Sequence, residues 1–260
     1  MHRFFIPPSW VEGNDVTITG PQAHQIANVL RMRPGDLIVV LDNSGWEIEV
    51  RLVSADRTAV KGEVLHRRLA GGEPRTKISL YQGVLKSNRF EFVLQKGTEL
   101  GVVQFLPIIS ERCVVSDLDA VEKRRRRWEW IIQEAAEQSR RGRKPALHSA
   151  ILFPQACEQT RRSGGLSLIL WEQEKASSLR SLLHRASPAL GAASERKETA
   201  RSPFVVNLFI GPEGGFTQDE VAVAQRYGLL PITLGQRILR AETAGIVATA
   251  AVLYELGDLA

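Results

Sequence analysis

From residue 76 onward the sequence alternates short β-branched, apolar runs with stretches of helical period. That alternation restricts the larger part of the chain to an α/β fold built on a mostly parallel sheet. Residues 78–85 read as a strand, 89–100 as a helix stopped by Gly101, and 103–109 as the next strand. The unit recurs at 166–171, 178–184 and 204–210, then at 231–234 with an Ala-rich closing helix over 242–256. Thr217 and Glu220 have the spacing of a capping box, and Gly228 stands where a helix-ending glycine belongs. A longer helix is expected from near Asp117 or Asp119 to about Arg140, with Val121, Trp128, Ile131, Ile132, Ala135 and Ala136 on one stripe.

The first 70 residues have a different texture. Short strands at 16–19, 36–42, 46–53 and 59–65, punctuated by Gly13-Asn14, Pro34-Gly35 and Asn43-Ser44-Gly45, predict a small β-barrel. Residues 22–33 carry Ile26, Val29 and Leu30 at helical spacing beside His24, Arg31 and Arg33, a short helix with a basic edge. The small, polar, Gly/Pro-containing stretch 69–75 reads as a linker, which divides the chain into domains at 1–72 and 73–260. A polar stretch at about 186–203 is expected to be a flexible insertion that carries no chemistry.

Composition narrows the function classes. Of the 260 residues, 34 are Lys or Arg against 29 Asp or Glu, a formal charge of +5, which suits a polyanionic partner without requiring one. Cys113 and Cys157 are far apart and belong to no C-x-x-C, so neither a disulfide framework nor a zinc ribbon is expected. The N-terminus has no leader-like apolar core and no apolar run reaches spanning length, so the reading is a cytoplasmic protein with no membrane partner.

Two glycine-bearing loops each follow an apolar run and lead into a helical segment: GPEGG at 211–215 and GQRILRAETA at 235–244. Neither is a P-loop nor a dinucleotide fingerprint, which argues against ordinary NTPases and dehydrogenases. In a parallel sheet such loops lie beyond the carboxyl ends of strands and can line one pocket. Taken alone, the first is equally compatible with a plain strand-to-helix turn, and Glu242 with a residue that merely complements a helix dipole. The run Arg124, Arg125, Arg126 and Arg127 reads as a solvated face or a phosphate contact. The cluster Arg140, Arg141, Arg143 and Lys144 favours RNA, because its charges gather beyond a helix end. His24, Arg31 and Arg33 are further RNA candidates, and Trp128 and Trp130 read as core or dimer packing.

The strings IGPEGGF (210–216), LGQRILRAETA (234–244), QKGTELG (95–101), SER (110–112) and EAAEQS (134–139) together resemble the 16S ribosomal RNA uracil-N3 methyltransferase family, RsmE type, of the SPOUT superfamily. RFFIP (3–7) and NVLRMRPGD (28–36) are similar to its PUA-like RNA-binding domain. The chain departs from the family pattern at Ser87-Asn88-Arg89-Phe90-Glu91, where Gly and Met-Glu or Met-Asp are usual, and at Asp42-Asn43-Ser44-Gly45 in place of an Asp-Gly turn.

The resemblance implies a PUA-like β-barrel followed by a SPOUT α/β domain with a deep trefoil knot, acting as a homodimer with a shared site. It implies S-adenosyl-L-methionine as cofactor, no metal, and 16S rRNA of the small ribosomal subunit as partner, methylated at N3 of a decoding-region uridine to 3-methyluridine. The implied cofactor wall is Leu170, Trp171, Ile210, Gly211, Pro212, Glu213, Gly214, Gly215, Leu234, Gly235, Ile238, Leu239, Arg240, Thr243 and Ala244. Arg240 is the candidate cation for a uracil anion and Glu242 the proton acceptor or the orienter of that arginine, with Glu213 in reserve; Arg112 joins the RNA set. The rivals are a ribose 2′-O-methyltransferase of the same superfamily, against which the 237–243 string and the N-terminal barrel weigh, and a non-catalytic RNA-binding assembly factor.

Overall fold

The computed structural model describes residues 1–86, 88–186 and 204–259. Apart from Ala186, which ends a helix, the expected insertion at 186–203 lies outside the described residues.

Two compact units are present: Met1–Glu73 with Gln133–Lys144, and Pro74–Ile132 with Pro145–Ala260. By its contacts, the segment 133–144 packs with the first unit although it lies beyond the expected boundary at 72/73. The reason is local bonding. The Glu73 carboxylate accepts from Arg141 Nη2 at 2.9 Å and from the Gly142 and Arg143 backbone N–H groups at 3.1 and 3.0 Å. Phe5 N–H donates to Glu137 at 2.9 Å, and Ala136 packs with Phe5, Val39 and Leu41.

In the first unit, β1 (His2–Phe5), β2 (Val11–Glu12), β3 (Asp15–Thr19), β4 (Leu37–Leu41), β5 (Trp46–Ala55) and β6 (Ala59–Leu69) form one six-stranded sheet in the order β1-β4-β5-β6-β3-β2. Only the β1–β4 pair is parallel. Alternation sets the inner face: Val16 and Ile18 of β3 turn inward with Phe4, Ile38, Val40, Ile48, Val50, Leu52 and Val60. The basic-edged helix begins earlier and ends earlier than its spacing predicts, as α1 (Gly20–His24) running into a π-helical turn at Gln25–Val29. Arg31, at φ 53°, has left the helical region and stops it.

In the second unit the strands are β7 (Lys77–Gly83), β8 (Gln104–Ile109), β9 (Ala146–Leu147), β10 (Ile151–Leu152), β11 (Leu166–Leu170), β12 (Val205–Ile210) and β13 (Leu230–Ile232). They make a seven-stranded sheet, β10-β8-β7-β12-β11-β13 with β9 beside β8, in which every pairing is parallel. Both faces are covered, as an all-parallel sheet demands. Helices α2 (Asn88–Leu100), α4 (Arg125–Gln138, whose last residues count with the first unit), α6 (Leu179–Ala186) and α8 (Ala241–Glu255) bury Phe90, Val93, Leu94, Trp128, Leu179, Leu183, Val252 and Leu253 on one face. Helices α5 (Phe153–Ser163) and α7 (Gln218–Arg226) bury Phe153, Cys157, Val221 and Ala224 on the other. The expected helix over 117–140 is two helices, with α3 (Leu118–Glu122) capped by Asp117 and separated from α4 by a tight turn in which Arg124 N–H donates to Val121 C=O at 3.0 Å.

Candidate functional site

Strand β11 lies between β12 and β13, so the chain segments leaving these three strands emerge side by side. They enclose a cleft of about 470 Å³ within the second unit. Its walls come from the start of the loop after β11, the first glycine loop and the entry to α8.

The first loop is closed on itself. Gly215, at φ 67°, donates its N–H to Pro212 C=O at 2.9 Å, and a Cβ on Gly211 would stand only 3.0 Å from Gly215 Cα. Gln82 of β7 holds the Gly211 carbonyl from below through its side-chain amide at 3.3 Å, and Arg112 Nη1 donates to Gly214 C=O at 2.8 Å. The loop then enters α7 through the capping box: Thr217 Oγ1 accepts from Glu220 N–H at 3.2 Å while Glu220 accepts from Thr217 N–H at 2.9 Å. In the second loop Gly235 sits at φ 111°, and a Cβ there would meet nothing within 4 Å, so backbone conformation rather than space calls for glycine.

The cleft gathers most of the sequence-derived wall: Leu170, Trp171, Ile210, Gly211, Pro212, Glu213, Gly215, Leu234, Gly235, Ile238, Leu239, Arg240 and Ala244. Two residues do not belong to it. Gly214 is turned into the contact with Arg112, and Thr243 is an exposed residue of α8 outside the lining. Both candidate catalytic residues line the cleft, Arg240 as the N-cap residue of α8 and Glu242 in its first turn. Sequence reasoning missed Arg89, Glu172, Phe216, Ile232, Thr233, Gln236, Arg237 and Ala241 as lining residues. Arg89 stands 3.6 Å from Glu213 and 3.9 Å from Glu242, and Lys86 N–H donates to Glu213 at 3.0 Å. No local pattern announces those pairs, because their partners lie in distant segments.

Two buried polar atoms of the lining residues, Trp171 Nε1 and Glu242 Oε2, have no hydrogen-bond partner among the described residues. Burying such atoms bare is costly, which makes them the groups a polar ligand would satisfy. Arg237 and Arg240 are exposed, and neither makes an ion pair among the described residues.

The RNA candidates divide. Arg141 is corrected to a structural role: only 2% of its side chain is exposed, held by Glu73, so it has no surface to offer a phosphate. Arg143 and Lys144 belong to the same tie, with Arg143 Nη2 donating to Ser44 C=O at 2.6 Å and Lys144 N–H to Asn43 at 2.7 Å. Arg140, His24, Arg31 and Arg33 are exposed, His24 within 2.7 Å of the Asn28 amide. Arg112 supports the first glycine loop, which its sequence neighbourhood does not reveal. In the arginine run, Arg125 bonds Glu129 at 2.9 Å and Arg127 bonds Glu91 Oε2 at 2.8 Å, the solvated-face reading. Trp128 is core, its ring 4.4 Å from Phe90, and Trp130 is exposed.

Sequence profiles define the class to which this fold and cleft belong. Residues 72–253 match an RNA methyltransferase domain and residues 18–65 an RNA methyltransferase PUA domain. The ribosomal RNA small subunit methyltransferase E of Bacillus subtilis (strain 168) is 32% identical over 259 residues, 98% of this chain and 97% of its own length. The Synechocystis protein of the same name is 31% identical, covering 96% of this chain and 76% of its own. A crystal structure of the Neisseria gonorrhoeae ribosomal RNA small subunit methyltransferase E bound to S-adenosyl methionine aligns with a TM-score of 0.81 at 31% identity, over 98% of this chain and 97% of that one. A Legionella pneumophila methyltransferase structure with bound SAM aligns at 0.80 and 29% identity, over 97% and 96%. The chain belongs to the ribosomal RNA small subunit methyltransferase E family.

Proposed function

We propose that this protein transfers a methyl group from S-adenosylmethionine to N3 of one decoding-region uridine of 16S rRNA in the small ribosomal subunit, giving 3-methyluridine. The observation that carries the reading is Glu242: a carboxylate in the cleft with one buried oxygen lacking a protein partner, two residues from the exposed guanidinium of Arg240.

The residues present fit the cofactor. Leu170, Trp171, Ile210, Gly211, Leu234, Gly235, Ile238 and Leu239 would hold it, glycine and apolar types that leave backbone groups accessible, and the bare Trp171 Nε1–H offers a donor. When bound, S-adenosylmethionine supplies a methyl group on a positively charged sulfur, already an excellent leaving group. The task left to the protein is to align the base and to take one proton. The Glu242 carboxylate accepts the N3–H of the uracil imide, and Arg240 stabilises the uracil anion so produced, leaving N3 with its lone pair exposed. Glu242 in the first turn of α8 is also in the favourable position for an anion at a helix N-terminus.

Exposed Arg140, His24, Arg31 and Arg33, in the unit matching the PUA domain, support RNA contact there. The proposal includes cytoplasmic action and a homodimer; exposed Trp130, Val247 and Tyr254 in the methyltransferase unit support the latter. Among the described residues no helix is long and apolar enough to cross a membrane. The trefoil knot belongs to the same reading, supported by the family match over residues 72–253.

Small subunits from a strain lacking the protein, incubated with the purified enzyme and labelled S-adenosylmethionine, should gain 3-methyluridine, read by nucleoside mass spectrometry. A methyl on ribose would replace the reading by 2′-O-methylation, and no transfer by a binding role. Glu242→Gln should retain cofactor affinity while lowering kcat by about 100-fold, the scale of a lost general base.

A further inference from the structure

Arg89 occupies a place that local physics disfavours. It lies in the first turn of α2, where the exposed N–H groups of the helix repel a cation. Departures of this kind from local rules concentrate at functional sites. Here two carboxylates compensate, and each comes from a different wall of the cleft: Glu213 of the first glycine loop, 3.6 Å from Arg89 Nη1, and Glu242 of α8, whose Oε1 is 3.9 Å from Arg89 Nε.

Glu213 is itself fixed, since its Oε1 accepts the Lys86 N–H at 3.0 Å. The guanidinium is thereby tethered on one side by a restrained acid and reaches the candidate base on the other. Its approach is to Oε1 of Glu242, and Oε2 is the oxygen left buried without a partner. The side chains of Glu213 and Glu242 are 23% and 13% exposed, shielded enough for the charge pairing to matter more than at an open surface.

We propose that Arg89 is a positioning residue for methyl transfer: held by Glu213, it fixes the Glu242 carboxylate through Oε1 and so sets its placement toward the substrate base. The proposal rests on the reading of Glu242 as proton acceptor. It assigns Arg89 no contact with the reacting atoms, and it gives Glu213, the reserve candidate for base, the task of anchoring Arg89.

The test compares Arg89→Met, Arg89→Lys and Glu213→Gln with the wild type, measuring kcat and KM for labelled methyl transfer to small subunits, and cofactor affinity by calorimetry. Arg89→Met is expected to lower kcat by about tenfold or more, a part of the 10²–10⁴ that acid–base catalysis supplies. KM and cofactor affinity should stay near their wild-type values, because only the placement of the Glu242 carboxylate is lost. Arg89→Lys, which keeps a cation beside Glu242, should recover part of kcat, and Glu213→Gln should lower it in the same direction by less, a readout that stands even if Arg89→Met folds poorly. In a Glu242→Gln background, Arg89→Met should add little. An unchanged kcat with KM alone raised would make Arg89 a phosphate contact and overturn the proposal, as would full additivity with Glu242→Gln. Failure of the wild type to make 3-methyluridine is a separate result, which would sink the proposed function itself.

Discussion

Gly83 offers a direct test of whether the first glycine loop is a rigid wall. It ends β7 directly below that loop, and a Cβ at this position would stand 2.5 Å from Pro212 N and 2.9 Å from the Gly211 carbonyl carbon. Its φ is not positive, so alanine meets no backbone objection and the effect of Gly83→Ala is purely steric. Non-bonded carbon contacts settle near ~3.5 Å, so either the loop or the end of β7 must yield by about 1 Å. Overpacking of this kind costs about 2 kcal/mol. In a chain of this size that corresponds to a fall in melting temperature of about 4–8 °C. The functional loss should be larger, since a misplacement of about 1 Å at a reacting centre can lower the rate by ~100-fold. Differential scanning calorimetry, calorimetric titration with S-adenosylmethionine and methyl transfer to small subunits read the three consequences together. Gly71→Ala, whose Cβ would meet nothing within 4 Å, is the control expected to behave as wild type. A Gly83→Ala protein with wild-type melting temperature and cofactor affinity would refute the reasoning, because the loop would then yield without cost.

Two further perturbations address the frame around the site. Asp258 accepts the Arg75 and Thr76 backbone N–H groups at 2.8 and 3.0 Å and so ties the segment after α8 to the start of β7. Burial alone would raise its pKa, but the hydrogen bonds from Thr76 and Arg75 outweigh it and hold the carboxyl below its ordinary value. The stability it contributes is present above the unfolded carboxylate pKa of about 3.9 and is lost as pH falls through the folded value. Asp258→Asn should therefore lower the melting temperature at neutral pH and flatten the acid side of its pH profile; an unchanged profile would contradict this. Arg141→Met removes the guanidinium from Glu73 and should destabilise the first unit by about 3 kcal/mol, measured by urea unfolding. At a temperature where both variants are folded it should reduce RNA affinity less than Arg140→Ala does, and the reverse order in a filter-binding assay would restore Arg141 to the RNA surface.

Much was legible in the residues alone. The alternation of apolar runs and helical periods from residue 76 specifies the parallel sheet, because strands buried on both faces need continuous apolar residues and their crossovers need amphipathic helices. The Thr217–Glu220 capping box and the helix stop at Gly101 are local features whose partners lie within a few residues, and the glycines of the two loops mark themselves by residue type, so sequence spacing is enough to read them. Helix α5 was legible too and was overlooked: Phe153, Ala156, Cys157 and Thr160 stand at the i, i+3, i+4, i+7 spacing of a buried stripe. The tertiary structure alone decided which charges belong to chemistry. Arg141 stands in a basic cluster and is buried against Glu73, Arg112 braces a loop, and Arg89, silent in the sequence, lies between Glu213 and Glu242. Charge depends on what faces it across the fold, and only the packing of strands β7, β11, β12 and β13 brings those distant carboxylates and guanidinium groups to one cleft.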